Sequence, residues 1–159
     1  MAKTDLGKKW ETIFRTAWKR QFPNTFIFRL ADQMNGFKET SSNPCDFICF
    51  ALSKLFLVEC KEHKGASIPF TAIPQYERLL AYKDIENVFP GVIIWFSEKD
   101  TIIWVGIKEM EKMVKNGEKS IGLRMVKDKS YNIIEVGGEK KRVFIEPNCL
   151  DLVKNLKED

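Results

Sequence analysis

Three charged residues near the middle of the chain, Asp46, Glu59 and Lys61, have the types and spacing that could do chemistry. They bound two apolar runs, Asp46-Phe47-Ile48-Cys49-Phe50 and Leu55-Phe56-Leu57-Val58-Glu59-Cys60-Lys61, joined by the short connection Ala51 to Lys54. Such a pattern predicts an antiparallel hairpin. If its turn is centred between Leu52 and Ser53, Asp46 faces Glu59 across the pair, and Lys61, two residues further on, projects from the same side. Opposed carboxylates about 5 Å apart repel unless something positive sits between them. A divalent cation does this well: Mg²⁺ takes one or two carboxylates, keeps waters, and completes its shell with phosphate oxygens. Lys61 would then orient or deprotonate a water, or neutralise charge developing on a phosphate. The bland alternative is a turn-ending Asp46 and a solvated Glu59–Lys61 pair. Against it stand the apolar run Leu55-Phe56-Leu57-Val58, which makes a closing charge pair costly, and Asn43-Pro44, which delivers Asp46 in extended backbone.

These residues need a scaffold. Leu6, Trp10, Ile13, Phe14, Ala17 and Trp18 recur at the spacing of an amphipathic helix from Leu6 to about Arg20, with Thr4 or Asp5 as its cap. Lys8, Lys9, Lys19 and Arg20 lie on its polar side. Glu11 falls at the edge of the apolar stripe, able to point along a cleft or to pair with Arg15 one turn on. Phe26 to Leu30 predicts a strand and Ala31 to Asn43 a loop. Pro69 and Pro74 precede a helix from about Gln75 toward Asp84. Gly91–Phe96 and Thr101–Ile107 predict a second hairpin, followed by a helix near Lys108–Lys115 and a polar, basic stretch. A late strand pair is expected at Tyr131–Val136 and Arg142–Ile145, around Gly137-Gly138, and then a short C-terminal helix. The pattern is α/β, and with no repeat or linker it implies one domain over residues 1–159.

Charge and composition narrow the partners. The 159 residues carry 26 basic and 22 acidic side chains, and the whole excess of four positive charges sits in residues 1–40. That placement hints at a polyanion. No apolar run approaches the roughly 18 residues of a membrane span, and no export signal is recognisable. Four cysteines without such a signal suggest reduced thiols in a cytoplasm. Cys45, Cys49, Cys60 and His63 invite a zinc reading, but strand parity sets His63 on the face opposite to the three cysteines, so buried small hydrophobes are the better account. His63 shares the face of Lys61 and is read as a loop residue before a catalyst. Trp10, Trp18, Trp95 and Trp104 fit helix and strand periods and are assigned to the core or a dimer interface.

Asn43-Pro44-Cys45-Asp46 followed by Glu59-Cys60-Lys61 resembles the PD-(D/E)xK nuclease core. More closely, the chain resembles the RecU-type Holliday junction resolvases, especially their short phage and phage-like members. The likeness runs from Gly7-Lys8-Lys9-Trp10-Glu11 through the two acidic segments to His63-Lys64-Gly65-Ala66-Ser67-Ile68-Pro69-Phe70 and the helix containing Gln75. It covers roughly residues 6–107, and more loosely Gly117 to Ile121.

The resemblance implies a restriction-endonuclease-like fold, a mixed central sheet flanked by helices. It also implies a Mg²⁺- or Mn²⁺-dependent homodimer that binds four-way DNA and cuts two strands of like polarity. By the same resemblance Asp46 and Glu59 are metal-binding carboxylates, Lys61 the catalytic lysine, and Glu11 the helix acid completing the metal site. Gln75 is the polar residue of the following helix, and the Cys60 carbonyl a further ligand. Arg29 stands where the family has a basic residue that binds phosphate or assists catalysis, and Lys8, Lys9 and Lys64 are DNA contacts. Cys45 and Cys60 replace commoner apolar residues beside the acids, and no counterpart of the long central protrusion is recognisable beyond the loop Ala31–Asn43. Two other readings stand beside this one: a restriction- or repair-type endonuclease acting on duplex DNA, and a non-cleaving junction-binding protein.

Overall fold

A computed structural model describes residues 5–31 and 43–156. Helix α1, Leu6–Gln21, starts where Asp5 Oδ1 accepts hydrogen bonds from the Gly7 and Lys8 amides at 3.1 and 3.2 Å, satisfying two of the donors a helix start leaves free. Its stripe of Trp10, Ile13, Phe14, Ala17 and Trp18 is buried, as the spacing requires. Strands β1 (Phe26–Arg29), β2 (Phe47–Ala51) and β3 (Lys54–His63) follow in antiparallel succession. The β2–β3 turn is made by Leu52 and Ser53, both at positive φ, the geometry of a two-residue turn whose twist matches the strands. Phe47 pairs with Val58 and Ala51 with Lys54, so the predicted register is present.

Beyond β3 come a short strand β4 (Ser67–Pro69), a 3-10 turn (Phe70–Ala72) and helix α2 (Tyr76–Leu80). Helix α2 ends well before Asp84, shorter than the sequence pattern suggests, because residues 81–87 turn to enter β5 (Val88–Phe96). β5 pairs in parallel with β3 and antiparallel with β6 (Thr101–Gly106). Helix α3 (Ile107–Lys115), strand β7 (Ser120–Gly122) and helix α4 (Leu123–Asp128) follow, then β8 (Ile134–Val136), β9 (Gly138–Lys140), β10 (Ile145–Pro147) and helix α5 (Cys149–Asn155).

The late strand pair differs from expectation. The segment before Gly137 does not pair with the segment after it. β8 instead joins β6 as the sixth strand of the central sheet, ordered β1-β2-β3-β5-β6-β8, and the local hairpin forms between β9 and β10. Val136 gains more by burial against the β6 core than a small exposed ribbon would give it. β4 and β7, neither expected from the pattern, pair with each other in a separate two-stranded sheet.

The sheet is covered on both sides. α1 and α5 pack on one face with Phe47, Cys49, Phe56, Val58 and Cys60. The other face meets Ile73, Leu79, Met110, Met113, Ile121 and Met125 from the α2–α4 side, together with Leu57, Val92 and Ile94. All four tryptophans belong to this interior. Gly91 is required there: a Cβ at this position would lie 2.5 Å from Trp104 Cζ2 and 2.7 Å from the Val105 carbonyl. Among the described residues no helix is long and apolar enough to cross a membrane.

Candidate active site

Asp46 precedes β2 by one residue and is clamped from both sides. Its carbonyl accepts from the Leu30 amide at 2.8 Å, and its amide donates to the Val58 carbonyl at 3.1 Å. Its side chain turns toward β3, where Oδ2 accepts from the Cys60 amide at 2.9 Å. Further support comes from α2: Arg78 Nη1 donates to the Asn43 carbonyl at 3.0 Å, fixing the segment that leads into Asp46. No feature of the sequence marks Arg78 for this role.

Among the described residues Glu59 is the sole charged one in the buried class, at 3% exposure. Its carboxyl lies within hydrogen-bond reach of Asp46, and Lys61 Nζ stands 3.3 Å from its Oε1. The three residues therefore meet at the end of the hairpin, with Asp46 drawn in from just outside the paired residues by its bonds to the Val58 carbonyl and the Cys60 amide. Burial pushes the Glu59 carboxyl up to about 8, the neighbouring Asp46 charge adds to the shift, and Lys61 opposes it. Asp46 is also raised, by burial first and by Glu11, against the opposing pull of the Cys60 amide, Lys61 and Arg29. One ammonium does not neutralise two carboxylates brought this close in a dry setting.

Glu11 reaches the region from α1. Trp10, one residue earlier, anchors that helix to the sheet through an indole N–H donated to the Ile93 carbonyl at 3.3 Å. The Glu11 carboxylate is held by Arg29, whose Nε lies 2.9 Å from Oε2; the partner is Arg29 on β1 and not Arg15 on the helix. Among the described residues no three His, Cys, Asp or Glu side chains converge closely enough to hold a metal ion, although Glu11 is near enough to Asp46 to raise its carboxyl. Two hard carboxylate oxygens in mutual contact, both with raised affinity for a proton, are nevertheless a donor set suited to a divalent cation that keeps most of its waters.

Gln75 sits at the N-terminal end of α2, and its Oε1 is buried without a hydrogen-bond partner. Neighbouring Ile73 and Leu79 pack in the same layer as Leu57, the side of β3 from which Glu59 and Lys61 project. Lys8 and Lys64 are exposed and Lys9 half-buried. His63 closes β3, its ring edge-on to Phe96.

The cysteines are distributed differently from what strand parity implies. Cys49, Cys60 and Cys149 lie in the α1–α5 layer, whereas Cys45, preceding the regular strand, turns into the opposite layer. All four are free and buried. Burial, with Glu59 and Asp46 beside it, pushes the Cys45 thiol up to about 12, so it stays a neutral wall of the site. Residues 32–42, which make up most of the expected loop, lie outside the described residues.

A cavity of about 420 Å³ opens at the other end of the sheet, lined by Val88, Phe89, Pro90 and Trp104 among others. Val88 pairs with Leu55, four residues along β3 from Glu59, so this cavity is not part of the acidic cluster.

No family model and no curated protein matches the sequence. Among solved structures the chain is similar to Hjc, a Holliday junction resolvase from the archaeal hyperthermophile Archaeoglobus fulgidus, with a TM-score of 0.53 at 15% identity over 74% of this chain and 89% of that one. The likeness is one of architecture: a central mixed sheet flanked by helices, the fold shared with that protein.

Proposed function

We propose that the protein is a metal-dependent, structure-selective endodeoxyribonuclease that resolves four-way DNA junctions by paired phosphodiester hydrolysis. The observation that supports this most directly is the meeting of Asp46, Glu59 and Lys61 at the end of the β2–β3 hairpin, on a sheet of resolvase type. Asp46 and Glu59 would hold Mg²⁺ or Mn²⁺, with the Cys60 carbonyl as a further oxygen. The metal, when bound, supplies Lewis-acid polarisation of a phosphate and a more acidic water. Its positive charge would also offset the burial that raises both carboxyl groups and the Asp46 charge that adds to the shift of Glu59.

Lys61, whose Nζ lies 3.3 Å from Glu59 Oε1, would orient the attacking water or balance charge developing on the phosphate. Arg29, tied to Glu11, sets a guanidinium at the mouth of the cluster, where a phosphate oxygen can share it. Lys8, Lys9 and Lys64 hold the DNA backbone on either side. Each chain has one such cluster, so cutting two strands symmetrically calls for a homodimer. Reduced, buried thiols suit a cytoplasmic setting.

The test is direct. Four-way, Y-shaped and linear duplex DNA, each end-labelled, are incubated with the protein at matched Mg²⁺ and the cuts mapped. Paired symmetric cuts confined to the four-way substrate are expected. Equal cutting of linear duplex would replace this reading with a restriction- or repair-type endonuclease, and salt-sensitive binding with no metal-dependent nicking on any substrate would reduce the protein to a junction-binding one.

A further inference from the structure

The ribbon formed by β4 and β7 brings together two segments more than fifty residues apart. Ser67 pairs with Gly122, Ile68 with Ile121 and Pro69 with Ser120. Backbone bonds extend the union at both ends: the Leu123 amide donates to the Ala66 carbonyl at 3.0 Å, and the Phe70 amide to the Lys119 carbonyl at 3.1 Å. Ile68 and Ile121 bolt the ribbon onto the core layer that also contains Leu57. That layer is the side of β3 from which Glu59 and Lys61 project. The ribbon is thus held in place only six residues beyond Lys61 along the chain.

Its outer surface has a consistent chemistry. Lys64, Gly65, Ala66 and Ser67 are exposed, as are Lys119 and Arg124 on the other segment. Ser67 Oγ and Ser120 Oγ share a hydrogen bond of 2.7 Å at the surface. Arg124 is 74% exposed and its ion pairs are long, 3.9 Å to Glu118 and 3.8 Å to Asp128. Along the two segments the exposed cations are interspersed with the small residues Gly65, Ala66, Ser67, Ser120 and Gly122, which leave room for a sugar–phosphate backbone to approach. Cations alternating with hydroxyls contact phosphate without reading bases.

We propose that the β4–β7 ribbon is a phosphate-binding ledge for the DNA strand leaving the acidic cluster, with Lys119 and Arg124 as its contacts beside Lys64 and with the Ser67–Ser120 hydroxyl pair as its floor. The inference rests on the nuclease reading and adds to it a part of the chain remote in sequence from the acidic residues. Because its contacts are to the backbone, it acts on duplex and four-way DNA alike.

The experiment is fluorescence anisotropy with labelled four-way and duplex DNA, without divalent metal, over a salt series. It compares the parent, the Lys119→Ala/Arg124→Ala double variant, and a control double variant, Arg142→Ala/Lys154→Ala, which removes the same charge on the α5 side. Thermal unfolding verifies that each stays folded. The ledge predicts about tenfold weaker binding for the first variant on both DNAs, and a log–log salt slope smaller by about 2. The control is expected to bind like the parent. Unchanged binding in the first variant, or equal losses in both variants, would overturn the ledge while leaving the nuclease reading intact. A parent protein that binds neither DNA would overturn both, which separates the two failures.

Discussion

Arg29 on β1 holds Glu11 on α1 through a 2.9 Å contact between Nε and Oε2, at the rim of the sheet end where Asp46 and Glu59 meet. The two side chains are 28% and 18% exposed, so the pair is worth less than about 1 kcal/mol to the fold. Glu11→Ala should therefore leave the thermal midpoint nearly unchanged. If Glu11 serves the acidic cluster, cleavage falls by about tenfold or more in the same variant. Parent-level cleavage would remove Glu11 from the site.

Asp46→Asn and Lys61→Ala should each lower Mg²⁺-dependent cleavage by about a hundredfold or more. Asp46→Asn keeps an acceptor oxygen for the Cys60 amide, so its fold and DNA binding should persist. Gel-shift and cleavage assays on the same preparation separate the two effects. Intact cleavage by Asp46→Asn would sink the proposed mechanism.

Stability of the metal-free protein should fall as pH rises from about 4.5 to about 8. Folded Glu59 keeps its proton up to about 8, whereas the unfolded chain releases it near 4.5. Over that interval the folded state binds more protons than the unfolded one, so each pH step favours unfolding, by an amount on the order of a few kcal/mol in total. Asp46, also raised, acts in the same direction. The lowered exposed acids Glu111, Asp128 and Glu139 titrate below this window. Urea titrations in chelator from pH 5 to pH 9 measure the trend, and a flat or rising profile would contradict it.

On the same grounds Glu59→Gln separates stability from activity. It removes the buried charge, so at pH 8.5 the metal-free variant should be more stable than the parent even though it loses cleavage. Added Mg²⁺ should raise the melting temperature of the parent and not of the variant. A parent that shows no Mg²⁺ effect at pH 8.5 would argue against the Asp46–Glu59 pair as the metal's ligands.

Gly91→Ala should cost about 1–3 kcal/mol, because the new methyl meets the Trp104 ring and the Val105 carbonyl. Chemical denaturation gives the value. A cost near zero would mean that the β5–β6 pair yields more readily than its contacts suggest.

Local pattern was enough for the parts of this protein that local forces build. The 3-and-4 spacing of Trp10, Ile13, Phe14, Ala17 and Trp18 dictates α1, and Asp5 caps it, because a helix buries one stripe whatever it packs on. Two apolar runs around Leu52 and Ser53 dictate the hairpin register from Phe47–Val58 to Ala51–Lys54, which ends beside Glu59 and Lys61; Asp46, just outside the ladder, reaches them through its bonds to the Val58 carbonyl and the Cys60 amide. The acidic cluster was legible for that reason: its members, Asp46 to Lys61, lie close together in sequence on one supersecondary unit.

Where partners come from distant segments, the residues alone do not choose among them. Glu11 has Arg15 one turn away on its own helix, yet pairs with Arg29, because the packing of α1 on the sheet turns its carboxylate toward β1. Ile134 to Val136 can pair with the next strand or with β6, and the larger apolar burial decides for β6. Cys45 departs from strand parity because β2 begins only at Phe47, so regular alternation does not extend back to it. β4 and β7, three residues each, carry too few positions for a period to show. Their union depends on Ile68 and Ile121 finding the same core, a decision taken by tertiary packing over a separation that no local pattern spans.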